Sequence, residues 1–337
     1  MNDSFKRVTR ADVARYAGVS ETVVSYVVNN NRYVSKTKRQ LVEQAIKDLN
    51  YHPNNAARSL KGKNSNHIIF IADQITNEHF SKIISEMDHF AYDMGYLISL
   101  CANRNNKEFV SQIISHQYDG IVISSISFPE VYIREFINAR IPVVLLMNRD
   151  YSEIKGVGKI YTGLYTGAKD CVKHLIGKGR KNILYLDRIS TRGHFSNMDD
   201  LRYRGFVEQM QESGLPFSEK VNIITGCKDE SEVIEKVQQR IKDGFAVDAI
   251  FGRNDKLAFI GMQAVKELGN RIPQDISVIG FDNSTLSQYN SPTITTMELD
   301  RKEIGKAVID MLHQMIDTGT IPEPVDFSAQ LLERQST

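Results

Sequence analysis

Two rhythms of apolar residues divide this chain. Through the first fifty positions they recur at helical spacing in short runs, each opened and closed by polar residues or glycine. Thr9 opens a first helix, Asp12 is the acid of a capping box three residues on, and Val13, Ala14 and Ala17 form the apolar stripe. Gly18 ends it, because glycine tolerates the positive φ of a helix C-terminus. Ser20 is then a good N-cap for a second helix over Glu21–Asn29. That helix buries Val24, Val27 and Val28 and leaves Glu21, Thr22, Ser25, Tyr26 and Asn29 on other faces. A third helix starts after Ser35 and carries Leu41, Val42, Ala45, Ile46 and Leu49 along one side. Helix, tight glycine turn, helix is the helix-turn-helix arrangement, whose second helix enters the major groove of DNA. Three such helices close only a small core, of marginal size for independent stability.

Pro53 interrupts whatever precedes it, and Asn54 caps a short helix running through Lys61. Eight residues are too few for a helix to persist alone in water, so this one is conditional on something packing against it. Gly62-Lys63-Asn64-Ser65-Asn66 is a polar linker and marks a domain boundary. The expected organisation is a headpiece over 1–52, a hinge helix over 53–62 and a body over 66–334.

From Ile68 the rhythm changes to short apolar runs alternating with amphipathic stretches. Strands are expected at 67–72, 96–101, 120–124 and 143–147. A polar break near 150–159 follows, then strands at 182–186, 222–225, 249–251 and 277–281. Helical stretches at 81–94, 201–213, 230–242 and 256–268 lie between them. Alternation of this kind means parallel sheets covered on both faces, here two doubly wound α/β lobes in series. The first lobe is expected over about 66–163 and 296–323, the second over about 164–295 and 324–334. Ligands of open α/β sheets bind beyond the carboxyl ends of the strands. The residues there are polar: Asp73-Gln74, Ser124-Ser125, Asn148-Arg149, Asp187-Arg188, Asn254-Asp255 and Asp282-Asn283. Carboxylates, amides and a few cations facing each other suit a polyhydroxyl ligand. The other reading is that each caps the helix that follows it.

Charge sharpens the division. The 337 residues carry a formal net charge of +1. Residues 1–63 hold 12 lysines and arginines against 5 acids, and the remainder holds 30 against 36. A basic head on an acidic body points to a polyanion partner, because cations along a nucleic acid gain by releasing condensed counterions. Cys101, Cys171 and Cys227 are isolated, and the eight histidines form no paired metal-binding motif. No apolar run approaches the ~20 residues of a membrane helix, and the N-terminus lacks a signal peptide's apolar stretch. A cytoplasmic protein with no cofactor, no metal and no membrane partner is expected. The sequence holds no dinucleotide fingerprint, P-loop, nucleophile elbow or metal-ligand cluster, and no catalytic residue is assigned.

The run Val8-Thr9-x-x-Asp12-Val13-Ala14-x-x-Ala17-Gly18-Val19-Ser20, continuing through Ser25, Val27, Val28 and Asn29, resembles the headpiece of the lactose-repressor (LacI/GalR) family. So does Asn50-Tyr51-x-Pro53-Asn54-x-x-Ala57-Arg58-x-Leu60. The resemblance implies a dimer binding a pseudo-palindromic double-stranded DNA operator. Leu60 is then an apolar wedge in the minor groove, with Ala57 beside it. Glu21, Thr22 and Tyr26 carry specificity, while Thr9, Ser20, Ser25, Asn29 and Asn54 make phosphate contacts. The commoner family pattern has arginine where Tyr26 stands. Losing a bidentate guanine reader removes ~1–3 kcal/mol of discrimination at one base. Tyr26 either packs on a thymine methyl or reaches a phosphate.

Further matches to the family's regulatory core are Asn77-x-x-Phe80, Pro142-Val143-Val144-Leu145-x-x-x-Arg149, Arg202-x-x-Gly205-Phe206, Asn254-Asp255 and Ile272–Asn283. That core is similar in fold to periplasmic sugar-binding proteins. The implied effector contacts are His79, Phe80, Arg149, Arg202, Asn254 and Asp282, and the implied effector is a small molecule, a sugar or sugar derivative. Two residues after Gly226, where many relatives carry a stacking aromatic, this chain has Lys228. Lys228 marks either an anionic ligand, such as a sugar phosphate, or a solvated loop. The reading overall is a homodimeric repressor of carbohydrate-utilisation genes. Two alternatives remain: a regulator whose co-regulator is a phosphorylated carrier protein, and a sugar-processing enzyme using the cleft carboxylates. No leucine heptad follows Leu332, which favours a dimer over a tetramer.

Overall fold

The computed structural model describes residues 7–52 and 65–337. The expected hinge helix, with Asn54, Ala57 and Leu60, lies outside the described residues. The chain falls into two compact units, Met1–Ser65 and Asn66–Thr337.

The first unit is built on α1 (Arg10–Ala17), α2 (Glu21–Asn29) and α3 (Lys36–Asp48). The capping box of α1 is complete. Thr9 Oγ1 accepts from the Asp12 amide at 3.3 Å, and the Asp12 carboxylate accepts from the Thr9 amide at 2.9 Å. Gly18 closes α1 at φ 63° and Asn30 closes α2 at φ 48°, both left-handed. Val13, Ala14, Ala17, Val24, Val27, Val42, Ala45 and Tyr51 form the core, and Val28, Ile46 and Leu49 pack against it half-buried. Leu41 does not join them; it is 50% exposed. Val42, Ala45, Ile46 and Leu49 already fill the narrow stripe that two short partner helices can cover.

The second unit begins with β1 (His67–Ala72), β2 (Leu97–Ala102), β3 (Gly120–Ser124), β4 (Val143–Leu146) and β5 (Gly158–Tyr161). They form one parallel sheet in the order β5-β4-β3-β1-β2. Helices Glu78–Asp93, Lys107–Ser115 and Glu130–Asn138 connect them. Then β6 (Ile183–Leu186), β7 (Ile223–Ile224), β8 (Ala249–Gly252) and β9 (Ser277–Ile279) form a second parallel sheet, ordered β7-β6-β8-β9. Its main helices are Leu164–Gly177, Leu201–Glu212, Glu230–Lys242 and Asp255–Glu267. The central strands are almost wholly apolar because both faces of each sheet are covered: every residue of β3, β4, β6 and β8 is buried, Ser124 at the end of β3 included. Each fully buried isoleucine or phenylalanine there contributes ~1.5–3 kcal/mol.

The chain passes between the lobes three times. It leaves β5 for helix Leu164–Gly177, returns through β10 (Thr296–Glu298) to helix Arg301–Thr318, and crosses again after β11 (Val325–Asp326). There β12 (Gln330–Leu332) pairs antiparallel with β10. Two details differ from the sequence expectation. β5 lies where a polar break was expected, because alternating Gly158, Lys159, Ile160 and Tyr161 bury only every second side chain. And β11 pairs with β5 in the first lobe's sheet, so the last crossing comes after residue 326 and not at 323/324.

Candidate functional site

On α2, Glu21 and Thr22 are exposed and Tyr26 is half-buried. Positions 22, 26 and 29 follow one another at helical spacing, so they share a face. Ser25 and Asn29 are tied to each other, Asn29 Nδ2 donating to the Ser25 carbonyl at 2.8 Å and to its Oγ at 3.2 Å. Ser20 Oγ accepts from the Val23 amide at 3.4 Å. Thr9 and Ser20 therefore stand at helix N-termini, where unsatisfied amides and the helix dipole favour a phosphate.

In the second unit a cavity of about 590 Å³ opens between the carboxyl ends of the two sheets. Five of the expected effector residues line it: His79, Phe80, Arg202, Asn254 and Asp282. Each is held by its local structure. Asn77 caps helix Glu78–Asp93 by accepting from the His79 amide at 2.8 Å, which fixes His79 and Phe80 in the first turn. Asp200 caps Leu201–Glu212 by accepting from the Arg202 amide at 3.0 Å. Asn254 Oδ1 caps Asp255–Glu267, accepting from the Leu257 amide at 3.0 Å. At Asn254, capping and cavity lining are one residue's two tasks. Asp282 follows β9 with φ 94°, a costly conformation for a side chain bearing a Cβ.

Electrostatics at the centre are tightly set. Asp282 Oδ1 lies 3.2 Å from an Arg202 guanidinium nitrogen and 3.6 Å from His79 Nδ1. Arg202 also covers the Phe281 ring at 4.2 Å and donates to the Arg253 carbonyl. Burial works to raise the Asp282 carboxyl, but His79, Arg202, Arg301 and Arg253 outweigh it and hold it below the ordinary value. Burial, helped by the charges of Arg301, Arg202 and Lys82 and opposed by Asp282, lowers His79 to about 4, so its ring is neutral at pH 7. His79 Nδ1 and Arg202 Nε are buried and have no hydrogen-bond partner.

Sequence reasoning reached Asp73 and Arg188 only as strand-end residues and missed Arg253; all three line the cavity. Asp73, after β1, accepts from Arg188 and from the Ile126 amide, both at 3.1 Å, from Ser127 Oγ at 2.7 Å, and from Ser125 Oγ. Its burial would raise the carboxyl, but Arg188 and these hydrogen bonds keep it low. Arg253 pairs with Asp200. Lys256 pairs with Glu230 at 2.6 Å.

Arg149 and Lys228 are not among the lining residues. Arg149 is drawn 3.0 Å from Asp199 and covers the Tyr151 ring at 5.5 Å. Lys228 is exposed just before helix Glu230–Lys242, its amide donating to Glu232 at 3.0 Å. The loop after β6 straps the lobes together on one side of the cleft. Besides Arg188, it places Arg192 against the Asn103 carbonyl at 2.9 Å and His194 Nε2 3.4 Å from Asn105 Nδ2.

A family model described as bacterial regulatory proteins, lacI family, matches residues 9–54. A second, described as a periplasmic binding protein-like domain, matches residues 172–337. The HTH-type transcriptional repressor PurR of Yersinia pestis bv. Antiqua (strain Antiqua) is 29% identical over 336 residues, covering 97% of this chain and 96% of the relative. Among solved structures, the Lac repressor dimer bound to operator and the anti-inducer ONPF aligns with a TM-score of 0.79 at 25% identity, covering 98% of this chain and 99% of that one. The transcriptional regulator CelR in complex with cellobiose aligns with a TM-score of 0.70 at 20% identity, over 98% of this chain and all of that one.

Proposed function

Because this chain belongs to the LacI/GalR family of DNA-binding transcriptional regulators, we propose that it represses carbohydrate-utilisation genes as a homodimer whose operator affinity is set by a neutral polyhydroxyl ligand in the cleft. One observation carries the choice of ligand class. Each arginine or lysine lining the cavity already has a carboxylate: Arg188 has Asp73, Arg202 has Asp282, Arg253 has Asp200 and Lys256 has Glu230. An anionic ligand would meet cations already neutralised and a carboxylate beside each of them. A hydroxyl, which donates and accepts at once, can instead bond to the carboxylate and the guanidinium of one pair together without disturbing it. Phe80, Ile126 and Leu257 supply apolar surface for the C–H face of a sugar ring. Lys228 is a solvated loop residue in this reading, and Arg149 supports the loop carrying Asp199.

The ligand shifts operator affinity only through its differential affinity for two arrangements of the lobes. Glu21, Thr22 and Tyr26 face base edges, Thr9, Ser20, Ser25, Asn29 and Asn54 take phosphates, and Leu60 with Ala57 enters the minor groove. The discriminating experiment is a thermal-shift screen of the full chain against neutral sugars, sugar phosphates and nucleobases. A ligand at 100 times its Kd adds ~2.7 kcal/mol of stability. A neutral sugar is expected to respond while its phosphate ester does not. A response confined to phosphates or nucleobases would overturn the ligand assignment. Gel-shift titration then reads whether the responding sugar changes operator affinity.

A further inference from the structure

The reading helix carries no cation. Its nine residues include one acid, Glu21, and no lysine or arginine. Among the described residues, a cation nevertheless reaches it from the segment that follows. Asn30 ends α2 in the left-handed conformation and turns the chain back. Arg39 donates to the Asn30 side chain at 3.1 Å and holds that turn. The turn brings Arg32 over the Tyr26 ring, its guanidinium carbon 5.4 Å from the ring centroid and one nitrogen 3.4 Å from the Tyr26 hydroxyl. Arg32 is exposed, and among the described residues it pairs with no carboxylate, whereas Arg15 pairs with Asp12 and Arg39 with Glu43.

We propose that Arg32, seated on Tyr26, is the guanine-reading side chain of this headpiece, and that Tyr26 is its positioning residue. The proposal rests on α2 being the helix that enters the major groove. A guanidinium held over an aromatic ring, with one nitrogen on the ring's hydroxyl, keeps its other two nitrogens as a fork and loses less freedom when that fork engages two acceptors. Guanine O6 and N7 are the paired acceptors that such a fork matches. Tyr26 lies on the face shared with Thr22 and Asn29, so the stack extends that face beyond the end of the helix toward the next base pair.

The test is operator selection from randomised duplexes with the full chain, followed by titrations at two salt concentrations. It compares the parent with Arg32→Ala, Arg32→Lys, Tyr26→Ala and Tyr26→Phe. Arg32→Ala is expected to lose roughly 10- to 100-fold preference at one G·C pair in each half-site and to keep preference elsewhere. Arg32→Lys loses it too, since an ammonium has no bidentate fork. Tyr26→Ala loosens the same position with an unchanged salt slope, because the charge remains, and Tyr26→Phe keeps the stack and most of the preference. Equal weakening on all sequences by Arg32→Ala, with a salt slope smaller by about one, would make Arg32 a phosphate contact and overturn the proposal. So would unchanged selection. If the parent enriches no sequence, the operator reading itself fails and this proposal falls with it. Arg32 is exposed, so matching melting temperatures of parent and variants exclude misfolding as the cause.

Discussion

Replacing Asp282 with asparagine tests whether the cleft is neutral by construction. The substitution preserves shape and an acceptor oxygen but removes the charge facing Arg202. The Arg202 side chain is only 7% exposed, and Asp282 Oδ1 is its carboxylate partner at 3.2 Å. Removing one partner of a buried ion pair leaves an uncompensated charge and costs ~3–5 kcal/mol. Denaturant unfolding of the full chain at pH 7 should therefore show a loss of that order. The pH dependence supplies a second signature. Asp282 titrates below its ordinary value in the folded state, so its contribution is present above the unfolded value of about 4 and is lost as the pH falls through the depressed one. Parent and variant should converge on acidification. The variant should also bind sulfate by calorimetry where the parent does not, because Arg202 is then a free cation. A loss below ~1 kcal/mol at pH 7, with no gain of sulfate binding, would refute the idea that Asp282 neutralises Arg202, and the neutral-ligand argument with it.

Other consequences are as specific. Gly205→Ala should destabilise the body by ~3 kcal/mol in the same unfolding assay, since a Cβ there would meet the Tyr165 carbonyl oxygen at 2.4 Å, where helices Leu164–Gly177 and Leu201–Glu212 cross. Asp255 is raised to about 6 by burial, against hydrogen bonds from Thr296 and Ser284. Its contribution is full below about pH 4 and lost as the pH rises through 6, about 3 kcal/mol in all, and Asp255→Asn should flatten that slope of stability against pH.

Local chemistry made most of this fold legible. The Thr9–Asp12 capping box, the Gly18 turn and the Ser20 cap are short-range features, decided within four residues, and each stands where the sequence places it. The apolar runs of β1 and β3 have the expected bounds because both of their faces are covered. What escaped depends on distant partners. β11 has two residues and no pattern of its own; only β5, more than 160 positions earlier, defines it as a strand. Leu41 looks like core until the narrowness of the headpiece is known. In the cleft, the residue types at strand ends were readable, but which cation each carboxylate neutralises was not. Arg149 and Arg253 are both arginines just beyond β-strands, and only the fold draws one toward Asp199 and sets the other against Asp200 in the cavity wall. Lys228 sits one residue from lining positions yet is not one of them.

The three crossings between the lobes have a consequence for how such a chain can diversify. Neither lobe is a continuous stretch: the first is assembled from segments on both sides of the second, and the cavity wall draws on residues from Asp73 to Asp282. Recombination at a single point inside the body therefore cannot transplant one lobe whole; it would leave one lobe part old and part new. The unit Met1–Ser65, by contrast, is contiguous and joined to the rest at one place. Exchange of that segment moves a complete DNA reader in one event. The same exchange pairs an intact ligand-binding body with a different operator reader, whereas retuning the cleft from within falls to substitution, residue by residue.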